Sequence, residues 1–114
     1  MSPWELWHFF PIGYLLTIAI ETPILFFGLS AQHSKLRRVA AGIWLTACTY
    51  PIVVLVLPLL ISERWLFLTV AETFAPVAEC ALFWLAFGKQ TTWRDFAVIV
   101  IANLASFAAG EIIF

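Results

Sequence analysis

The chain has 114 residues, of which 63% are hydrophobic and only 11% charged, and its formal net charge is −1. Soluble domains are nearer half apolar and a quarter charged, so this composition excludes soluble enzyme folds, nucleic-acid-binding domains and disordered chains. The apolar residues form long blocks separated by short polar clusters, which is typical of a multi-pass membrane protein. Function must therefore be argued from the positions of the few charged residues.

The apolar blocks predict transmembrane helices, each close to the ~20 residues that cross a hydrocarbon core of ~30 Å. A few strands could not close into a barrel, so helices are the only structure that satisfies the backbone in lipid. The sequence thus predicts an all-α fold: a compact four-helix bundle that forms a single membrane domain over residues 1–114. The predicted spans are 8–29, 39–61, 65–88 and 96–114.

The basic residues all lie outside these spans, and nearly all of them lie on one side. The positive-inside rule therefore places loops 30–38 and 89–95 in the cytoplasm and both termini outside. No Lys or Arg precedes the first apolar block, so we expect no removable signal peptide. The basic residues are Lys35, Arg37 and Arg38 in the first loop, Arg64 in the second, and Lys89 and Arg94 in the third.

Four glutamates, Glu21, Glu72, Glu79 and Glu111, lie within the spans, where there is no Lys or Arg. A charged side chain near the bilayer centre costs about 2.5–3.5 kcal/mol on insertion scales, so these residues should face the bundle interior or a water-filled cavity. Helical rise places Glu72 and Glu111 in the outer third of the membrane. It places Glu21 and Glu79 together just inside the midplane. Without internal bases, protons or external cations must neutralise all four.

Neutral polar residues share helix faces with these acids or lie at their depth, so every helix offers oxygen atoms to a central path. Ser and Thr in membrane helices also bond their own backbone, and small residues also serve close packing, so these residues alone do not establish such a path. They are Thr17 in the first helix, Thr46, Thr49 and Tyr50 in the second, and Asn103, Ser106 and Gly110 in the fourth.

Pro23, Pro51 and Pro76 lie near these polar groups and predict kinked helices with free carbonyl groups. Carboxylates beside free carbonyls suit a hard cation such as Na⁺, Mg²⁺, Ca²⁺ or Mn²⁺. Such a bound ion is the only cofactor that we expect, and no organic cofactor is predicted.

The remaining chemistry-bearing residues are expected to be structural or solvated. Cys48 and Cys80 lack the close spacing of a soft-metal site and are expected to pack within the spans. His8 and His33 lie at opposite membrane edges, where both should be solvated. Asp95 also lies at an edge and is expected to be solvated there.

A faint internal repeat aligns residues 37–50 with 94–107 and pairs Thr49 with Ser106. A true repeat would consist of two parallel hairpins related by an axis along the membrane normal. Chance similarity between two apolar segments explains the match equally well, so the sequence does not decide between them.

Acidic residues within the spans, without a basic residue beside them, favour a transporter or channel for a cation. The cation would be a metal ion or an ion whose movement is coupled to that of protons. Glu21 and Glu79 would form its central site and would be the ligands of any metal, with Glu72 and Glu111 as an outer site. In length and span number the chain resembles the small multidrug-resistance exporters, four-helix proteins that use a membrane-embedded glutamate. That resemblance implies export of hydrophobic cations. The expected neighbours of the acids are Asn103, Thr49, Tyr50 and Ser106.

The alternative is a non-transporting structural or assembly subunit of a larger membrane complex, whose protonated acids bond neighbouring helices. An enzyme is not expected, because no nucleophile–base arrangement or metal-binding histidine motif is present. Four helices leave little wall around a polar path, so we expect a homo-oligomer in the lipid bilayer, with a dimer favoured by symmetry. A nucleic-acid partner is not expected.

Overall fold

The computed structural model of the chain describes residues 3–113, and the side chains of Pro3, Trp4, Leu6 and Ile113 are not part of that description. Phe114, the end of the predicted fourth span, lies outside the described residues. Four helices, each long and apolar enough to cross a membrane, form a compact body of 43 × 22 × 21 Å, which confirms the predicted all-α four-span fold. The helices are Pro3–Gly28, Lys35–Leu60, Arg64–Phe87 and Trp93–Ile113.

Each helix begins before the predicted span, because polar residues at the membrane edge continue the helix beyond its apolar part. Ser34 caps the second helix, and its hydroxyl group accepts a hydrogen bond from the N–H group of Arg37 at 3.2 Å. The carboxylate of Glu63 caps the third helix by accepting from the N–H groups of Trp65 and Leu66. Such caps satisfy amide groups that have no partner within the first helical turn.

The helices form a ring in which the first and the third each pack against the second and the fourth. Short connections make neighbouring helices antiparallel. The bundle therefore has a terminal end, where the first helix begins, the fourth helix ends and residues 61–63 lie, and a loop end, where connections 29–34 and 88–92 lie.

Prolines lie inside three of the helices, as expected, and the second helix changes its winding after one of them. Pro51 is followed by a π-helical segment, Ile52–Val56, before α-helix resumes at Leu57–Leu60. Proline has no N–H group to donate to the preceding turn, so the regular hydrogen-bond ladder cannot pass through it unchanged. Segments of this kind are frequent at functional sites.

The packed core occupies the half of the bundle nearer the loop end. Its buried side chains come from the last turns of the first and third helices and the first turns of the second and fourth. Large apolar side chains such as Leu15 and Phe27 point outward, at 67% and 77% exposure, and form a surface suited to lipid. The core consists of Leu25, Leu29, Ala41, Leu45, Phe83, Ile99 and Ala102.

Candidate cation and proton site

A cavity of about 700 Å³ occupies the half of the bundle nearer the terminal end and is lined by all four helices. Arg64 and Glu111 line it where it meets the surface, and their side chains are 66% and 41% exposed. Glu21 and Glu79 line it at the other extreme and are only 3% and 2% exposed. The polar faces of the four helices therefore meet within a single chain, in a cavity that leads from the surface to two buried acids.

The two deepest acids line the same inner part of the cavity. Ser106 Oγ of the fourth helix lies 2.6 Å from Glu21 Oε2 of the first helix. Thr49 Oγ1 of the second helix lies 2.9 Å from Glu79 Oε2 of the third. The other oxygen of each carboxyl group, Oε1, is buried and has no hydrogen-bond partner among the residues that the structure describes. Each carboxyl group thus has one hydrogen-bonded oxygen and one buried oxygen without a partner in that part of the chain.

The hydrogen atoms at these contacts can be counted. Thr49 Oγ1 also lies 3.0 Å from a carbonyl oxygen one turn earlier in its own helix, and Ser106 Oγ lies 3.1 Å from another. A hydroxyl group carries one hydrogen, so it cannot donate fully to both a carbonyl and a carboxylate. If the carboxyl group is protonated, its O–H donates to the hydroxyl oxygen. The hydroxyl hydrogen can then donate to the carbonyl oxygen, so both hydrogens have an acceptor. These surroundings therefore suit Glu21 and Glu79 as groups that gain and lose a proton.

The two hydroxyl–carboxyl contacts are equivalent, since each joins the second helix of one hairpin to the first helix of the other. The spacing of the buried residues also repeats, since three buried residues in the first helix have the same spacing as three in the third. This is the arrangement that two parallel hairpins about a central axis require, so the structure supports the repeat that the sequence left undecided. The matching buried residues are Gly13, Glu21 and Leu25 in the first helix and Ala71, Glu79 and Phe83 in the third.

The other predicted polar neighbours also line the cavity, but several of them bond their own helix. Thr46 Oγ1 donates to the carbonyl of Gly42 at 2.9 Å, and Asn103 Nδ2 donates to that of Ile99 at 2.9 Å. Tyr50 Oη is buried without a hydrogen-bond partner in the described part of the chain. These groups shape the wall, whereas the hydroxyl groups of Thr49 and Ser106 are hydrogen-bonded to the inner acids.

The outer acids differ from the inner pair. Glu72 lines the cavity wall two turns before Glu79, on the same helix face, as its position in the sequence predicts. Glu111 accepts a hydrogen bond from Arg64 at 2.7 Å. The expectation that no base neutralises an acid within the spans is therefore wrong for Glu111. Arg64 lies on the first turn of the third helix, and its long side chain reaches the end of the fourth.

The loop end contains a buried, hydrogen-bonded Asp–His pair that the sequence reasoning missed. Asp95 and His33 are 0% and 1% exposed, and His33 Nε2 lies 2.9 Å from Asp95 Oδ2. The expectation that both are solvated is wrong, because they pack between the connections at this end. Asp95 also accepts from the N–H groups of Ser30, at 2.8 Å, and Thr92, at 2.9 Å. Thr92 and Asp95 form a Thr-x-x-Asp capping box, and that motif was the available signal.

Two of the arginines that set the predicted orientation also hold this end together. Arg38 donates to the carbonyl of Phe26 at 2.8 Å, and Arg94 donates to the carbonyl of Gly28 at 2.7 Å. These carbonyl groups belong to the last turn of the first helix, where no further backbone N–H can reach them. The loop end is therefore closed by polar contacts over a packed core.

Among the described residues, no group of three or more His, Cys, Asp or Glu side chains is placed to hold a metal ion. A metal at Glu21 and Glu79 would thus have to draw its other ligands from neutral oxygens, and this assignment stays a prediction. Comparison of the chain with protein-family models, curated proteins and solved structures finds no match. Its function is therefore argued from the geometry of the cavity.

Proposed function

We propose that this protein is an integral membrane carrier that exchanges protons for a cation at Glu21 and Glu79. The observation that carries the proposal is that both buried acids line a single cavity that reaches the surface, and each keeps a carboxyl oxygen that has no hydrogen-bond partner among the described residues. Ionisable residues inside a membrane span are costly, and they commonly mark the pathway of an ion or a proton.

The exchange of protons for a cation follows from the number of hydrogen atoms at the hydroxyl–carboxyl contacts. In the resting state each carboxyl group holds a proton and donates it to Thr49 or Ser106. A cation that reaches the two Oε1 atoms favours the ionised carboxylates, and the released protons leave through the cavity. Charge balances when a monovalent cation replaces one proton or a divalent cation replaces two.

The closed loop end favours a carrier over a channel. The packed core and the Asp95 contacts separate the inner acids from that end, so release on the far side requires a second conformation. By the positive-inside rule, the cavity opens to the outside in this state and both termini lie outside. We further propose a homo-oligomer, most simply a dimer, since each protomer surrounds its cavity with a single layer of helices.

The proposal is tested by proton movement in liposomes that contain the purified protein and an internal pH dye. Gradients of Na⁺, Mn²⁺ or an arylalkyl ammonium ion are imposed in turn. We expect at least one of them to drive proton movement, and Glu21→Gln or Glu79→Gln to reduce it by about tenfold or more, because an amide keeps the shape but cannot ionise. Glu5→Gln, an exposed acid outside the cavity, is the matched control. Proton movement that is unchanged in both variants would refute the site.

One observation favours the structural subunit as the second candidate. The contacts of Glu21 with Ser106 and of Glu79 with Thr49 tie separate helices together, which is what a purely structural acid would do. The unfolding temperatures of the variants distinguish the two functions. If Glu21→Gln and Glu79→Gln lower the unfolding temperature strongly while the wild-type protein moves no protons, the structural role is the correct one.

A further inference from the structure

We propose that the cation is an organic ammonium ion: a primary or secondary amine, in protonated form, that carries an apolar body. Its N–H groups would donate to Oε1 of Glu21 and Oε1 of Glu79, and its body would fill the cavity toward the terminal end. This inference rests on the proposed function and specifies its substrate.

The first argument is size. The cavity of about 700 Å³ lies within the range of roughly 300–1,000 Å³ that is usual for sites that bind small organic molecules. A water molecule takes about 30 Å³ in the liquid, so a metal ion with a few waters would use only a fraction of the space. The volume matches an ion that has a body.

The second argument is the set of ligand atoms. Hard divalent cations take six or more oxygen ligands, and the two Oε1 atoms are the only unpartnered carboxylate oxygens buried in the described part of the chain. An ammonium group needs fewer acceptors, because it has two or three N–H donors that all leave one nitrogen atom. One ionised carboxylate would neutralise the charge of such a head, and the carbonyl oxygen of the other, still protonated carboxyl group would accept a further N–H.

The third argument is the wall between the surface and the acids. It carries aromatic and aliphatic side chains from all four helices, and these provide apolar contact for a hydrocarbon body and ring faces for a cation. Glu72 lies along this wall and offers the ammonium head an intermediate position on its way to Glu79. The main apolar lining residues are Phe9, Leu16, Val53, Phe67, Leu104 and Phe107.

The test is calorimetric binding to the full-length protein in mild detergent, with four probes of matched shape or charge. They are 1-naphthylmethylammonium, its N,N,N-trimethyl analogue, the neutral 1-naphthylmethanol, and Mn²⁺. We expect the primary ammonium ion to bind with proton release, and both the trimethyl analogue and the alcohol to bind about tenfold more weakly or worse. Glu21→Gln and Glu79→Gln should each weaken the primary ammonium by a similar factor, while Glu5→Gln should not.

A second variant tests the contribution of the ligand's apolar body to binding independently of its charge. Apart from its chain neighbours and the backbone of its own helix, a Cβ atom at Gly110 would meet no atom of the described residues within 4 Å, and Gly110 lines the cavity. Gly110→Leu should therefore fold and fill part of the space, and it should weaken the naphthyl ammonium without affecting a small ion.

The outcomes distinguish this inference from the proposed function. Tight binding of Mn²⁺ with proton release, and none of the naphthyl ammonium, would overturn the substrate class and leave the exchange site standing. Equal binding of the primary and trimethyl ions would overturn hydrogen bonding as the basis of recognition. Proton release by none of the probes, together with the absence of flux in liposomes, would overturn both proposals.

Discussion

Asp95 at the loop end and Glu79 in the cavity are both buried carboxyl residues, at 0% and 2% exposure, yet their surroundings differ. Asp95 accepts hydrogen bonds from two backbone N–H groups and lies against His33, and the hydroxyl groups of Ser30 and Thr92 also donate to it. Glu79 has one hydroxyl contact and an oxygen without a partner in the described residues.

This contrast teaches that burial alone does not distinguish a site from a structural acid. A buried charge is stable when several donors replace the water that it has lost, and Asp95 meets that condition. Such a group has little freedom to exchange its partners. Glu21 and Glu79 line the cavity, and each has an oxygen without a partner in the described residues, so fewer contacts oppose a change in their protonation.

The largest expected effect is a loss of stability when Asp95, the structural acid of this comparison, is replaced. Asp95→Ala removes the acceptor of several buried donors and the partner of His33, so we expect a loss of about 3–5 kcal/mol in the free energy of unfolding. Glu79→Gln keeps an oxygen beside Thr49 and should cost less than about 1 kcal/mol. Reversible unfolding in mixed detergent micelles measures both. Equal losses would show that the two acids do the same structural work.

The fold could be predicted because it depends on patterns that the bilayer itself imposes. Apolar blocks of membrane-spanning length specify the four helices, and helical spacing places Glu72 and Glu79 on one face. Glu21 and Glu79 also reach a common depth, since the rise per residue is fixed once the ends of the helices are known.

The remaining features depend on contacts between residues distant in sequence. The Thr-x-x-Asp capping box is a local motif, but burial of Asp95 also requires Ser30 and His33 from the opposite connection. The pair of Arg64 and Glu111 depends on the reach of a side chain between two helix ends. Span and loop patterns each describe one short segment, so they do not show that a charge at the membrane edge is buried against residues of another segment.

The next prediction compares the packed half of the bundle with the half that holds the cavity, by replacing one glycine with alanine in each half. At Gly42, a Cβ atom would lie 2.7 Å from Thr22 Oγ1 and 3.0 Å from its Cα, so Gly42→Ala must push the first and second helices apart. We expect a loss of about 1–3 kcal/mol in the free energy of unfolding. Gly110→Ala faces open space, and it should be neutral or stabilise by up to about 1 kcal/mol, because alanine favours helix. Equal destabilisation by both would contradict the difference in packing.

The smallest effect concerns Arg64 at the surface end of the cavity and is kinetic. Its ion pair with Glu111 is largely exposed, so Arg64→Gln should change the free energy of unfolding by less than about 1 kcal/mol. Removing a positive charge from the entrance should raise the association rate of naphthylmethylammonium by about two- to fivefold at low salt, and less at high salt, since screening weakens the repulsion. Stopped-flow binding at two ionic strengths measures this change. Lys35→Gln removes the same charge at the loop end and should leave the rate unchanged, because the cavity opens at the other end of the bundle. A rate increase as large in that variant would mean that the cation does not enter past Arg64.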